Sequence, residues 1–149
     1  MTVAGFERPP IRQSVLVRAS RPHVFDVFTA TIGAWWPVTP FSAGQASVRS
    51  VTMEPRQGGR VYETWADGTE VDWGDLLVWE PPERFVMTWR FTSAVTEVEL
   101  RFAELGPSLT RVALEHRGWE RLGAVDDDYV AGWARVLASF NAMVVEKLQ

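Results

Sequence analysis

The chain has 149 residues, of which 46% are hydrophobic and 23% are charged, and its formal net charge at pH 7 is −4. This length and balance predict a single globular domain over residues 1–149, while the scattered acidic excess argues against nucleic acid as a partner. Because the chain has no cysteine, disulfides, thiolate nucleophiles and cysteine-ligated metals are excluded.

The sequence shows no segment that would direct the chain to a membrane. Its apolar runs fall far short of the ~20 residues that a membrane span needs. The N-terminal stretch lacks the basic start and apolar core of a signal peptide. We therefore expect a cytoplasmic protein without a membrane span, and the composition leaves open whether it is a monomer or a homodimer.

The first predicted elements are a strand and a short helix. Residues 13–19 alternate in the manner of a β-strand. A serine that can cap a helix follows, and the apolar spacing of the next turns predicts a short amphipathic helix ending near Gly33. Trp35 and Trp36 then stand beside the helix-stopping Pro37, and we interpret this pair as a plug or rim for whatever lies under the sheet.

The middle of the chain has the texture of an antiparallel meander, with short β-branched and aromatic runs between turn signals. The predicted strands are 47–54, 59–65, 70–80, 84–91, 95–105 and 109–117. The Asp67-Gly68 pair is the strongest hairpin signal among the turns. The strand at 70–80 has apolar residues on both parities, which leaves its inward face open, and a bulge near Gly74 would switch the parity.

A histidine shares the inward parity of the last predicted strand. Val112 and Leu114 set that parity in residues 109–117, because charged side chains occupy the positions between them. His116 follows on the same side, where an imidazole needs a hydrogen-bond partner or a pocket.

A glutamate is predicted to point inward in the strand at 59–65, because Glu63 has the same parity as Val61 and Trp65. A buried carboxylate is costly unless it is paired. Glu63 and His116 are therefore the candidate catalytic residues, acting as a general acid/base pair in a dry pocket. The alternative is a structural hydrogen bond without catalysis.

A long helix is predicted over residues 126–148. Its apolar stripe consists of Val130, Trp133, Leu137, Phe140, Val144 and Leu148. The aspartates at 126–128 supply a cap and a negative charge at the start, and Lys147 marks the end. Gly132 costs about 1 kcal/mol in a helix relative to Ala, so either a flexible joint or the close approach of another backbone or a ligand is expected beside Trp133.

The eight tryptophans indicate either an aromatic core or a cavity lined with rings. Trp89 and Trp133 are favoured as core residues. The tryptophans next to loops or turns, which are candidates for a pocket rim, are Trp35, Trp36, Trp73 and Trp119.

Several short motifs within residues 13–145 lie in register with a known superfamily. They are Glu54-Pro55-Arg56, Gly58-Gly59-Arg60, Trp73-Gly74, Trp79-Glu80-Pro81-Pro82, Thr88-Trp89, Glu115-His116-Arg117-Gly118-Trp119 and Gly132-Trp133. Together with the order of elements, they resemble the SRPBCC superfamily, with its START-like or helix-grip fold. Within it they are similar to the heat-shock ATPase activator homologue branch, often labelled polyketide-cyclase-like. The resemblance implies an α+β helix-grip fold, in which a curved antiparallel sheet of about seven strands surrounds a long C-terminal helix, with two short helices after strand 1.

In that superfamily the sheet and the long helix enclose an elongated apolar cavity, which carries lipids, hormones or polyketides and in some members catalyses cyclisation or dehydration. The resemblance therefore implies that an apolar or aromatic small molecule binds between the sheet and the helix. The expected ligand-binding residues are Trp35, Trp36, Val61, Glu63, Trp65, Trp73, Met87, Trp89, His116, Trp119, Tyr129, Trp133, Leu137 and Phe140.

Two alternatives remain beside ligand binding. One is a cofactor-free cyclase, lyase or hydrolase that uses Glu63 and His116 in the same cavity. The other is a chaperone partner or regulator that acts through its surface. No cofactor is expected, and no metal ion, since two histidines without cysteine make a poor zinc site.

Overall fold

A computed structural model describes residues 9–92, 94–119 and 127–147 of the chain. The elements in order are β1 (Ile11–Val17), α1 (Arg21–Ala30), α2 (Ile32–Trp35), β2 (Val48–Met53), β3 (Arg60–Trp65), β4 (Glu70–Glu80), β5 (Arg84–Trp89), β6 (Thr96–Gly106), β7 (Leu109–Arg117) and α3 (Asp127–Lys147). The α+β fold class with two short helices after the first strand is confirmed. The first strand begins and ends two residues earlier than predicted, and the other strands lie within two residues of their predicted bounds.

The seven strands form one curled antiparallel sheet in the order β1-β7-β6-β5-β4-β3-β2. The chain therefore meanders from β2 to β7, and the N-terminal strand closes the sheet by pairing with the last one. Ile11 lies opposite His116 and Val17 lies opposite Thr110 in that pairing. The inner face of the curled sheet is covered by α1, α2 and α3, with α3 lying along β1.

Irregular pairing in β4 resolves which of its side chains point inward. Val61 of β3 pairs with Gly74 and the next residue, Tyr62, pairs with Asp72, so Trp73 has no partner on β3. In the same way, Leu77 has no partner on β5, because Leu76 and Val78 pair with the adjacent residues Met87 and Val86. Each bulge reverses the parity of the strand. Trp73 and Leu76 are buried as a result, while Leu77 is 41% exposed. The parity switch expected near Gly74 is confirmed, and a second switch follows it.

Packed aromatic rings fill the space between the sheet and the helices. The Phe28 ring of α1 lies 4.7 Å from Trp35, 5.8 Å from Phe85, 5.7 Å from Phe102 and 4.9 Å from Phe140, measured between ring centroids. All five side chains are buried. Tilted and edge-on contacts of this kind are the arrangements that aromatic pairs prefer. This cluster joins α1, α2, α3 and the sheet into one core.

The long helix α3 buries most of its predicted stripe, including Trp133, Leu137, Phe140 and Val144. Val130 differs, since it is 41% exposed. The side chains of the predicted cap at 126–128, of Lys147 and of Leu148 lie outside what the structure describes. Among the described residues, no helix is long and apolar enough to cross a membrane.

Candidate functional site

An aromatic pocket of about 210 Å³ lies between the loop after α2, the end of β5 and the first half of α3. Its walls consist of Trp36, Pro40, Phe41, Ser42, Trp89, Phe91, Tyr129, Gly132, Trp133 and Val136. Six of these ten residues are aromatic, and the pocket is partly open to solvent. An apolar concavity with a few hydroxyl groups is the usual form of a small-molecule site.

One wall of the pocket is residues 37–44, which we call the pocket loop. Its Phe41 ring lies against α3 at Gly132, where an added Cβ would stand 3.3 Å from the ring. The Arg135 guanidinium lies over the same ring, 5.2 Å from its centroid. Of the two alternatives for Gly132, the structure shows a close approach beside Trp133, and the approaching group is the Phe41 side chain rather than a backbone or a ligand.

A much smaller space lies among buried core residues. A second space, enclosed by Met53, Met87 and neighbouring core residues, has a volume of only about 10 Å³. Trp36, Trp89 and Trp133 line both spaces and stand between them. The elongated cavity that the resemblance implies is thus reduced, in the described residues, to a pocket at one end and a small void beneath it.

The carboxylate of Glu63 is fully buried and receives four N–H donors. Its Oε1 accepts from the Ala43 amide at 2.9 Å and from Trp73 Nε1 at 2.7 Å. Its Oε2 accepts from the Gly44 amide at 2.7 Å and from Trp65 Nε1 at 2.7 Å. Burial alone would raise the pKa of Glu63, but these hydrogen bonds outweigh it and hold the pKa below its ordinary value. Glu63 is therefore a charged acceptor at neutral pH.

His116 is also fully buried, and its partners define its tautomer. Trp133 Nε1 lies 3.0 Å from Nδ1 and can only donate, so Nδ1 accepts. The Nε2–H group of the neutral ring therefore donates to Thr96 Oγ1 at 2.8 Å. Thr96 lies 3.2 Å from Thr92 Oγ1, which continues the chain of hydroxyls. Burial lowers the pKa of His116 to about 3, because nothing in this chain of partners is charged.

The structure does not bring Glu63 and His116 together as a pair. Glu63 binds the pocket loop and two indoles, whereas His116 binds Trp133 and Thr96, and they share no partner among the described residues. Neither side chain lines the aromatic pocket. Both side chains point inward, as strand parity predicted. Parity places two residues on one face of a sheet but does not fix the distance between them. Here each residue has its own hydrogen-bond partners.

The other predicted ligand-binding residues fall into three groups. Those that line the pocket are Trp36, Trp89, Tyr129 and Trp133. Those next to the two buried polar groups are Trp65 and Trp73 at Glu63, and Trp119, whose ring lies 4.4 Å from His116. Those packed in the core are Trp35, Val61, Met87, Leu137 and Phe140. Trp89 and Trp133 are buried core residues as predicted, and they also line the pocket, whereas Trp35, Trp73 and Trp119, predicted at a pocket rim, are buried and do not line it.

The sequence argument missed most of the pocket loop and the end of β5. The lining residues not predicted are Pro40, Phe41, Ser42, Phe91 and Val136. Gly132 also lines the pocket, and the sequence predicted the approach of a ligand there as one of its alternatives. A glycine in the middle of an apolar helix stripe was the one local signal that a ring from elsewhere packs there.

The outer face of the sheet carries a separate buried carboxylate, Glu99. Its oxygens lie 3.1 Å from Arg84, 2.7 Å from Arg101 and 2.6 Å from Arg117. Burial raises the pKa of Glu99, but the hydrogen bonds and charges of these arginines outweigh it and lower the pKa overall. Glu99 is therefore paired with cations, in contrast to Glu63. Within the described part of the chain, no group of three or more His, Asp or Glu side chains could hold a metal ion.

Comparisons with known proteins place this geometry in a family. The model of a family described as Activator of Hsp90 ATPase homolog 1-like protein matches residues 18–145. A search of curated proteins finds no significant match.

Two solved structures are similar to this chain in both sequence and fold. The anthrahydroquino-γ-pyrone synthase Txn09, complexed with SUM, is 32% identical, with 92% of this chain and 97% of that chain covered and a TM-score of 0.60. The self-sacrificing resistance protein CalC from Micromonospora echinospora is 26% identical, with 95% and 97% covered and a TM-score of 0.67.

A third solved structure shares the fold alone. It is the AHSA1-like protein from Aeromonas hydrophila, which is 19% identical, with 92% and 93% covered and a TM-score of 0.63. The family match spans most of the sequence, and the synthase is similar over nearly its whole length. The chain therefore belongs to the Activator of Hsp90 ATPase homolog 1-like family, within the SRPBCC superfamily.

Proposed function

We propose that this protein binds a flat aromatic small molecule of two or three fused rings in the pocket between the pocket loop and α3. The observation that carries the proposal is the pocket itself, where Trp36, Phe41, Trp89 and Trp133 surround about 210 Å³ of free space. Such rings bind a flat ligand through offset and edge-on contacts.

The volume of the pocket limits the size of the ligand. A buried apolar cavity of about 150 Å³ is enough for benzene, whereas pockets for drug-sized ligands usually measure about 300–1,000 Å³. At about 210 Å³, the pocket holds one end of a flat ring system, and the rest of a larger ligand extends through the opening. The small interior void offers no further room.

The relatives support an aromatic ligand. The structure that is 32% identical is that of a synthase named for an anthrahydroquinone-derived pyrone and solved as a complex. A fused aromatic compound of this class is therefore the first ligand to test.

The test is a titration with 1,8-dihydroxyanthraquinone, followed by quenching of tryptophan fluorescence. Gly132→Val should weaken binding by about tenfold or more, because its side chain occupies the space between α3 and Phe41. The matched control is Ala134→Val, the same kind of enlargement on the exposed side of the helix. Saturable 1:1 quenching that is weakened in Gly132→Val but not in Ala134→Val supports the proposal, and equal binding by both variants contradicts it.

A second function, catalysis in the same pocket, is favoured by the identity to a synthase. Among the described lining residues, Ser42 and Tyr129 carry hydroxyl groups. Ser42 Oγ donates to the Val38 carbonyl at 2.6 Å, whereas the Tyr129 hydroxyl accepts from Trp89 Nε1 at 3.2 Å. Ser42 Oγ also accepts from the Gln45 amide at 2.8 Å. Tyr129 is the better acid in such a reaction, because a phenol gives up its proton more readily than an alkyl hydroxyl.

Catalysis predicts turnover of a phenolic or hydroquinone substrate without any cofactor. Mass spectrometry of the mixture after incubation would show a product of changed connectivity, and Tyr129→Phe would abolish it while retaining binding. Recovery of unchanged ligand from a stoichiometric complex would leave binding as the function.

A further inference from the structure

The buried carboxylate of Glu63 has no cation beside it among the described residues. Its two oxygens instead receive two indole N–H groups and two backbone amides. An ionised group in such a place persists only when donors replace the water it has lost. The four donors supply that replacement, and two of them, Ala43 and Gly44, belong to the loop that walls the pocket.

We propose that Glu63 is the positioning residue of the ligand pocket, and that its carboxylate holds the pocket loop in the shape that binds ligand. The effect on ligand binding rests on the proposed function, whereas the effect of Glu63 on the loop does not. Glu63 does not touch the pocket and acts only through Ala43 and Gly44, which directly follow the lining residues Phe41 and Ser42.

The other hydrogen bonds of the pocket loop are mostly internal. Ser42 Oγ donates to the Val38 carbonyl, and the Phe41 amide donates to the Pro37 carbonyl at 3.2 Å. These bonds fold the loop on itself without tying it to the sheet. Trp36 Nε1 adds a bond to the Phe41 carbonyl at 2.7 Å, but Trp36 is the residue that leads into the loop. Glu63, on β3, is therefore the described side chain that ties the loop to the sheet by hydrogen bonds.

A glutamine cannot replace this carboxylate, because its NH₂ group donates rather than accepts. If the NH₂ takes the place of Oε1, the Ala43 amide and Trp73 Nε1 face another donor. If it takes the place of Oε2, the Gly44 amide and Trp65 Nε1 do so. Each orientation frees one amide of the loop and one indole. Glu63→Gln therefore loosens the loop in either case.

Gly44 gives a second way to disturb the same contact while keeping the carboxylate. A Cβ added at Gly44 would lie 2.3 Å from Trp65 Nε1, the donor to Oε2. This distance is too short for any side chain, so Gly44→Ala must displace the indole or the loop. The variant tests the position of the loop independently of the charge of Glu63.

The experiment compares Glu63→Gln with Glu99→Gln, the same substitution at a second glutamate that is buried among the described residues, on the opposite face of the sheet. Amide exchange is followed by NMR in the free proteins, and the dissociation constant for 1,8-dihydroxyanthraquinone is measured by fluorescence. In Glu63→Gln the amides of Ala43 and Gly44 should exchange about tenfold faster or more, and the probe should bind about tenfold more weakly. Glu99→Gln should change neither quantity by more than about twofold.

The two proposals fail in different ways. Unchanged exchange at Ala43 and Gly44 in folded Glu63→Gln, or faster exchange with unchanged affinity, overturns the positioning role. If Glu63→Gln does not fold, Gly44→Ala takes its place, and unchanged exchange and affinity there overturn it equally. If the wild type fails to bind the probe while amide exchange at Ala43 and Gly44 is still faster in Glu63→Gln, the proposed ligand is wrong. The conclusion that Glu63 holds the loop is then supported.

Discussion

His116 is neutral because Trp133 and Thr96 already occupy both of its ring nitrogens. A second proton on Nδ1 would face the Trp133 N–H, and no carboxylate among its hydrogen-bond partners would compensate the charge. The histidine, on β7, therefore connects β6 and α3 through hydrogen bonds. Its ring also packs edge-on against Tyr129, with 5.2 Å between the ring centroids, and Tyr129 lines the pocket.

The pH dependence of stability should reveal this histidine. Burial lowers the pKa of His116 from 6.5 to about 3, so the folded state binds fewer protons than the unfolded chain. Its contribution to stability is complete above pH 6.5 and is lost as the pH falls toward 3. Between pH 7 and pH 5 the free energy of unfolding should fall by about 2 kcal/mol. Urea denaturation at pH 7.5, 6 and 5 measures this loss.

His116→Gln serves as the comparison for that titration. Glutamine keeps hydrogen-bonding capacity but does not titrate, so the variant should lose most of the pH dependence in this window. At pH 7.5 it should be less stable than the wild type by about 1–3 kcal/mol, the cost of leaving a buried partner unsatisfied. An equally steep dependence in the variant would mean that another group titrates there. Glu63 and Glu99 have pKa values below their ordinary value in the folded protein, so both carboxylates stay ionised there across this window.

The close packing of strand β4 against β5, rather than the strand propensity of glycine, explains why a glycine stands at position 74. Gly74 stands at its first bulge, opposite Val61 of β3. A Cβ there would lie 1.7 Å from the Thr88 carbonyl oxygen of β5, an impossible distance that only a shift of the backbone relieves. The glycine thus lets β4 pass close to β5 where Trp73 turns inward.

Gly74→Ala should therefore be severely destabilising. We expect a loss of about 3 kcal/mol or more in the free energy of unfolding, at the upper end of what overpacking costs. The matched control is Gly106→Ala, where a Cβ would meet nothing within 4 Å and which should change stability by less than about 1 kcal/mol. Equal stability of the two variants in urea would contradict the packing argument.

The elements themselves could be predicted from local pattern, because strands and helices follow periodicity within a few residues. The inward parity of His116 and Glu63 followed from alternation alone. The partners of Glu63 could not be predicted, since two of its donors, Ala43 and Gly44, are backbone amides of a loop 19 to 20 residues away. The pocket could not be predicted either, because a volume depends on how side chains from three separate segments fill space.

The outer and inner faces of the curled sheet differ in charge and polarity. Its outer face carries an ion network in which Arg117 contacts Glu97, Glu99 and Glu115. Its inner face is mainly apolar apart from Glu63 and His116, and among the described residues the larger inner space is the pocket at one end. A ligand is thus expected to enter at the pocket loop and to stop at Trp36, Trp89 and Trp133 rather than to run the length of the helix.

Met87 tests whether those tryptophans separate the pocket from the interior. Met87 is buried and lines only the small void beneath them. Met87→Ala should enlarge that void and lower the free energy of unfolding by about 2–5 kcal/mol. The affinity for 1,8-dihydroxyanthraquinone should nevertheless stay within about twofold of the wild type, because Met87 does not line the pocket and Trp36, Trp89 and Trp133 stand between it and the ligand.

The control for the loss of apolar surface is Leu77→Ala, at a position of β4 that is 41% exposed. Its stability should change by less than about 1 kcal/mol, because no cavity forms where solvent can follow. Both quantities come from urea denaturation and fluorescence titration of the same samples. Tighter binding of the probe by Met87→Ala, or new binding of a longer four-ring compound, would mean that the ligand passes the tryptophans and uses the interior between sheet and helix.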